Sequence, residues 1–425
     1  MSHRFFTMVS ALLAASLGLA ACGGAAATPR TLKVISSLPM TGASLSATQA
    51  IVNAEKLKLD QINSQVCGGR YRLSYEAWND ALPTTGQWDP AMETSNGNVA
   101  AAQQGVIAYL GPFNSGAAEQ SLPPLNSSGP VVMISPANTY PGLTQPGFGA
   151  GEPGIFYPTR ARNYARLVPT DAVQGAADAR FVKNTLGAST VYVLDDQQVD
   201  GKSIASVFEK TAGAIGLKVL GHDSVNIRNA TLGTFSNAAD YKALMTKIAA
   251  SNNGAPPEAI FVGMAVDSNA AQLLKDKVAA MGDNTKVKYV GSDGVQTQGF
   301  IDEAGAGLAE GVYASAAGLP YDKLPPAGQQ FKKDYDAKYG GSLNEPSAVY
   351  GYEAMSVLVA ALESVCAAGG DPSDRLAVTR AVMATNNFNG ALGTWSFDAN
   401  GDTSLTDVTL YQVQGGKFVP VGQFK

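Results

Sequence analysis

The chain has 425 residues, a formal net charge of −5, and 45% hydrophobic against 15% charged residues. This is the composition of a globular chain, and a mildly acidic protein with no Lys/Arg cluster is a poor partner for nucleic acid. Two histidines, His3 and His222, and three cysteines leave too little for a Ser-His-Asp or Cys-His machine or a zinc site, so no enzyme activity, metal or cofactor is expected.

The N-terminus comes first. Arg4 precedes an apolar run from Val9 to Ala21. A basic start, an apolar stretch of about 7–15 residues and a small-residue end describe an export signal. The run is shorter than the roughly 20 residues of a membrane-spanning helix. Leu19-Ala20-Ala21-Cys22 resembles the bacterial lipobox. That resemblance implies cleavage after residue 21 and a lipid on Cys22. The alternative is an ordinary signal cut near Ala21, with Cys22 incidental. Residues 22–30 read as a flexible, lipidated tether. The mature chain then works outside the cytoplasm on a membrane surface, in a periplasm or at the cell surface. It keeps only His222, in a strand-like run with no nucleophile nearby.

The remaining body, about 395 residues, is long enough for two domains. Strand-like and helix-like segments alternate along it. Strand Thr31–Leu38, helix Ala47–Val66 and strand Tyr71–Ala77 open the series. Helix Ala91–Gln104, strand Val106–Leu110, helix Ser115–Leu125 and strand Val131–Ile134 follow. A Pro/Gly-rich loop over Thr144–Pro158 interrupts the pattern. A second unit of similar construction then runs from Val173 to Val290. Helices over Gln329–Tyr339, Ser347–Cys366 and Asp374–Thr385 come next, and a hairpin around Gly415-Gly416 closes the chain. Such alternation predicts an α/β fold of two doubly wound parallel-sheet lobes with a ligand cleft at the strand carboxyl ends.

Two motifs point elsewhere and are read as turns. Gly149-Ala-Gly151-Glu-Pro-Gly154 satisfies a dinucleotide pattern, yet it follows a loop and carries Pro153 where a helix should begin. Asp398-Ala-Asn400-Gly-Asp402 alternates oxygen ligands like a calcium loop, but its glycine is misplaced and Thr409 stands where Glu is needed. Cys67 and Cys366 each end a predicted helix. In an oxidising compartment such a pair is most simply a disulfide, and the alternative is two separate buried thiols.

Val106–Ser115 (VIAYLGPFNS) and Val131–Thr144 (VVMISPANTYPGLT) resemble the leucine/isoleucine/valine-binding proteins, type I periplasmic solute-binding proteins that serve ABC transporters. Leu38–Gly42, Arg166–Gly175, Tyr289–Val295, Tyr350–Ala354 and Phe397–Asp402 match in the same order. The resemblance implies two lobes joined by three crossings near Leu167, Tyr313 and Gly390. Lobe 1 is then 31–166 with 314–390, and lobe 2 is 167–313 with 391–425. It also implies that Cys67 and Cys366 share lobe 1, which favours the disulfide. Ser115, Asn138 and Thr139 match the positions that hold the ligand carboxylate and part of its ammonium. Asp293 matches the acidic ammonium partner, and Tyr352 and Leu45 would line the side-chain pocket. Two positions depart. Gln197-Gln-Val-Asp-Gly201 puts Asp or Val where relatives carry a ligand-contacting Tyr, and Met264-Ala265 replaces a second aromatic.

The resulting expectation is a monomeric lipoprotein that binds an amino acid, branched-chain or other aliphatic, for an ABC permease in the membrane. An amide, urea or aromatic acid ligand, or a sensory role, remains the alternative. The insertions 82–97 and 147–163 have no assigned role.

Overall fold

The computed structural model describes Met1 and residues 28–127, 129–228 and 235–424. The expected signal peptide, Cys22 and most of the tether lie outside the described residues.

Strands here are short, nearly continuous apolar runs, which is how strands buried on both faces read. Val106–Leu110 (VIAYL) and Ala259–Gly263 (AIFVG) are buried at every position. The first sheet has six strands, in spatial order Gln65–Val66, Tyr71–Asn79, Arg30–Leu38, Val106–Leu110, Val132–Ser135 and Tyr164–Arg166. All its pairs are parallel except the first. The second sheet has seven, in the order Lys417–Phe424, Val408–Gln414, Tyr313–Ala317, Lys288–Gly291, Ala259–Gly263, Thr190–Asp195 and Lys218–Ser224. Its two C-terminal strands run antiparallel, and the others are parallel. The α/β architecture of two mainly parallel sheets is therefore the one expected.

Successive strand side chains point to opposite faces, and each sheet carries a core on both. In the first sheet Val34, Ala108 and Leu110 face one core, and Ile35, Val106 and Tyr109 face the other. In the second, Leu194, Ile260 and Val262 oppose Val193, Ala259 and Phe261. Helix Ala348–Ala367 is apolar enough to cross a membrane, but 72% of its apolar window is buried. It is the central helix of the first core, packed against Leu45–Gln61.

Several boundaries differ from expectation. The first helix stops at Gln61, because Asn63 and Ser64 turn the chain at positive φ into the short strand Gln65–Val66. Cys67 thus sits in a turn rather than at a helix end, also at positive φ (59°). It is bonded to Cys366, in the last turn of Ala348–Ala367, with the Cα atoms 5.8 Å apart. Tyr164–Arg166 is a strand within what reads as loop-flanked sequence. Tyr313–Ala317 pairs wholly within the second sheet, whereas Ala391, Leu392, Trp395 and Phe397 pack into the first core. The crossings expected at Tyr313 and Gly390 therefore fall later in the chain. Backbone pairing and the Glu353 carboxylate, which accepts from Ala391 N and Trp395 Nε1, decide the point.

Candidate functional site

Residues that follow the carboxyl ends of strands in both sheets line one shared cavity. Its first wall comes from the loops after Val106–Leu110 and Val132–Ser135. Gly111 leaves the first strand at φ 119°, where an added Cβ would lie 2.6 Å from Ser37 O. The chain then enters helix Ser115–Ser127, whose first residue lines the cavity and whose opening N–H groups have no earlier turn of helix to bond. Ser115 Oγ accepts from the N–H groups of Thr139 and Tyr140, each at 3.2 Å, so the two loops are tied together. Ser115 and Thr139 both line the cavity.

Asn138 has a different place. Its amide nitrogen donates to Pro112 O and Phe113 O at 3.0 Å, its oxygen accepts from Tyr164 Oη at 3.2 Å, and it is fully buried. It clamps the loops from behind and does not line the cavity. Arg166, which sequence reasoning missed, does similar work. Its Nε pairs with Asp402 Oδ1 at 2.8 Å, and its Nη atoms reach Tyr140 O at 2.7 Å and Thr144 Oγ1 at 2.6 Å. Asp398–Asp402 is accordingly a turn, in which Asp398 Oδ1 accepts from Asn400 N and Asp402 N.

The opposite wall is acidic. Asp293 opens a short turn after Lys288–Gly291 and lines the cavity. Burial pushes its carboxyl up to about 6, and the Gln174 side chain opposes that shift. Asp200, in the first turn of helix Val199–Ala214, lines the same space. Burial, with Asp196, Asp171 and Asp293 nearby, raises its carboxyl well above the usual carboxylate range. Asp171, 1% exposed, stands behind Thr139, whose carbonyl accepts its N–H at 3.0 Å. Burial takes it to about 7 against the hydroxyls of Thr139 and Ser203.

Tyr352 does not join the site, which corrects the expectation. Two residues advance a helix by about 200°, and Tyr350 takes the cavity face instead. Tyr352 stacks against Phe331 and donates to Gln61 Oε1 at 2.6 Å. Tyr350 shares its phase with buried Ala354, Leu358 and Leu362, a signal present in the sequence. Leu45 is 39% exposed and lies outside the cavity, whose edge takes Ala47 from that helix. His222 sits on the edge strand between the Asp195 and Glu209 carboxylates, 2.8 and 3.1 Å away.

The lobes also touch directly. Gly299 N donates to Ser46 Oγ at 3.3 Å, Gln298 N to Glu345 Oε1 at 3.0 Å, and Trp88 Nε1 to Gln198 Oε1 at 2.6 Å. The cleft is closed.

A family model described as periplasmic binding protein matches residues 31–417. The chain belongs to the periplasmic binding protein family. Membership implies an extracytoplasmic place and a binding rather than a catalytic role. The chain is 26% identical over 288 residues to the leucine-, isoleucine-, valine-, threonine-, and alanine-binding protein of Pseudomonas aeruginosa, an alignment covering 66% of this chain and 65% of that protein. It shares its fold with a leucine-binding protein, LivK, of Thermotoga maritima MSB8, at TM-score 0.74, 22% identity, and 92% and 98% coverage of the two chains. A solute-binding protein of an ABC transporter from R. palustris, in complex with benzoate, superposes at TM-score 0.71 with 20% identity, covering 92% and 96%.

Proposed function

We propose that this chain is the exported, lipid-anchored substrate-binding component of an ABC importer, that it encloses a free amino acid, and that it delivers it to a membrane permease. The carrying observation is the division of the cavity. Ser115, Thr139 and a helix N-terminus offer neutral donors on one wall, and Asp293 faces them from the other. A ligand carboxylate suits the first and an ammonium the second, by charge-assisted bonds worth about 1.5–3 kcal/mol each. One small zwitterion reaches both only when the lobes are together, so binding stabilises the closed form. A plain carboxylic acid would leave Asp293 without a cation.

Strand pairing supports a lobe 1 of residues 31–166 with a later segment from about 318 to 405, and a lobe 2 of 167–317 with the C-terminal strands. The Arg4-to-Cys22 segment supports export and lipid attachment at Cys22.

The test is isothermal titration of purified protein, unfolded and refolded to strip ligand, against the free amino acids and then small amides and aromatic acids. Micromolar or tighter heat with at least one amino acid is expected. Heat only with an amide or with benzoate would remove the amino-acid reading and keep the binding role.

A further inference from the structure

An aliphatic amino acid leaves this cavity electrostatically incomplete. It brings one ammonium for Asp293 and one carboxylate for the Ser115–Thr139 wall. Asp200 then remains, lining the same space, with its Oδ1 sealed from solvent and without a hydrogen-bond partner among the described residues. Among the described lining residues there is no Lys, Arg or His to answer it. Asp171, buried behind Thr139, adds a further carboxyl close to Asp200 without lining the cavity. A buried charge persists only when it is paired, so a cation has to come from the ligand, or a proton has to sit on the wall.

The lobe 1 side of the cavity carries a second, independent mark of an occupant. Tyr350 is 2% exposed, lines the cavity, and its Oη has no hydrogen-bond partner among the described residues. Ser347 Oγ, one turn earlier on the same wall, is in the same condition. Val168, Ala316 and Ala317 give the same cavity apolar lining. Such surface suits a methylene stem, which a long cationic side chain lays on apolar groups while its head stays polar.

We propose that the cavity selects an amino acid whose side chain ends in a second cation, an ammonium or guanidinium held by Asp200. This rests on the amino-acid reading above and replaces the expected aliphatic side chain. Asp200 is then a specificity-determining residue, and its place in the first turn of Val199–Ala214 is where sequence comparison saw a departure.

Titration of ligand-stripped protein at pH 7.5 with lysine, ornithine, arginine, leucine and glutamine tests this without any variant. At least one basic amino acid is expected to bind tenfold or more tightly than leucine and glutamine. In Asp200→Asn the ratio of basic to leucine affinity should fall at least tenfold, with a thermal melt confirming that the variant is folded. Leucine or glutamine binding more tightly than every basic amino acid would overturn the proposal and leave the amino-acid reading standing. So would a folded Asp200→Asn with an unchanged ratio. Silence toward all five would overturn the proposal as well, and the amino-acid reading would then stand or fall on the full panel of free amino acids.

Discussion

The two walls of the cavity are built on opposite plans. On the lobe 1 wall the two loops after the strands are tied to each other and held from behind. Ser115 Oγ holds two backbone N–H groups, Asn138 holds two carbonyls, and the Arg166–Asp402 pair locks the Thr139 loop from beneath. The lobe 2 wall presents Asp200 and Asp293, carboxyls raised by burial, and Asp200 Oδ1 has no hydrogen-bond partner among the described residues. One wall is prepared and the other is short of a cation. Pre-organisation on one side keeps ordering costs low, and unmet charge on the other makes closure depend on what enters.

The largest effect should come from breaking the prepared wall. Asp402→Ala leaves Arg166, 0% exposed at its side chain, as an uncompensated buried charge. Such losses cost about 3–5 kcal/mol, read as a lower urea midpoint. Arg166→Met added to Asp402→Ala should recover much of that. A single variant as stable as the parent would mean that Arg166 is not held by this pair.

Next in size is Asp293→Asn, which removes the carboxylate facing the ligand ammonium. A charge-assisted bond of about 1.5–3 kcal/mol corresponds to a Kd raised roughly 10- to 150-fold. Titration of the preferred amino acid measures it. An unchanged Kd would take Asp293 out of the site.

A pH series separates the walls again. The acidic group is Asp171, Asp178, Asp196, Asp200 and Asp293, with Arg166 the cation acting on Asp171. Asp293 and Asp171 stand at about 6 and about 7, against an ordinary 3.8. Raised carboxyls bind more protons folded than unfolded, so their contribution to stability is lost as pH rises between 3.8 and about 7. A cationic ligand neutralises the same groups. The stabilisation it confers should therefore be larger at pH 8 than at pH 5, by severalfold in apparent affinity. Denaturation midpoints with and without ligand at both pH values give the answer, and a gain larger at pH 5 would reverse the assigned sign.

How much of this was legible follows the same division. Strand Val106–Leu110 reads directly as a buried run, and Ser115 and Thr139 follow from what stands at strand ends. Arg166 was hidden because its partner Asp402 is 236 residues away in sequence, and no local pattern reports so distant a pair. The Tyr350–Ala354 motif leads to Tyr352 while the cavity takes Tyr350, because a motif gives composition, whereas cavity-facing is a matter of helix phase. Asp200 was visible as a departure, yet its meaning needed the other carboxyls that the fold gathers around it. The crossings were misplaced because strand pairing, not residue type, decides where Tyr313–Ala317 belongs.

The smallest predicted effect concerns the insertion 82–97, whose sequence gave no role. Trp88 packs its ring where a Cβ on Gly116 would collide at 2.8 Å, and its Nε1 donates across the cleft to Gln198 Oε1. Gln198 is itself fixed, donating to Asp196 Oδ2 at 3.1 Å and Ser268 Oγ at 2.9 Å. Gln87 adds contacts to Asn237 Oδ1 and Asp267 O. This strap joins the prepared wall to the acidic lobe only while the cleft is shut, so it belongs to closure rather than to either lobe's stability. Trp88→Phe keeps the ring and deletes one hydrogen bond worth about 0.5–1.5 kcal/mol. Kd should rise roughly two- to tenfold, mainly through faster release, with the denaturation midpoint of the ligand-free protein little changed. Stopped-flow dissociation of the preferred amino acid distinguishes the cases. An unchanged release rate would make the strap part of lobe 1 alone and leave closure to the ligand and the contacts at Ser46 and Glu345.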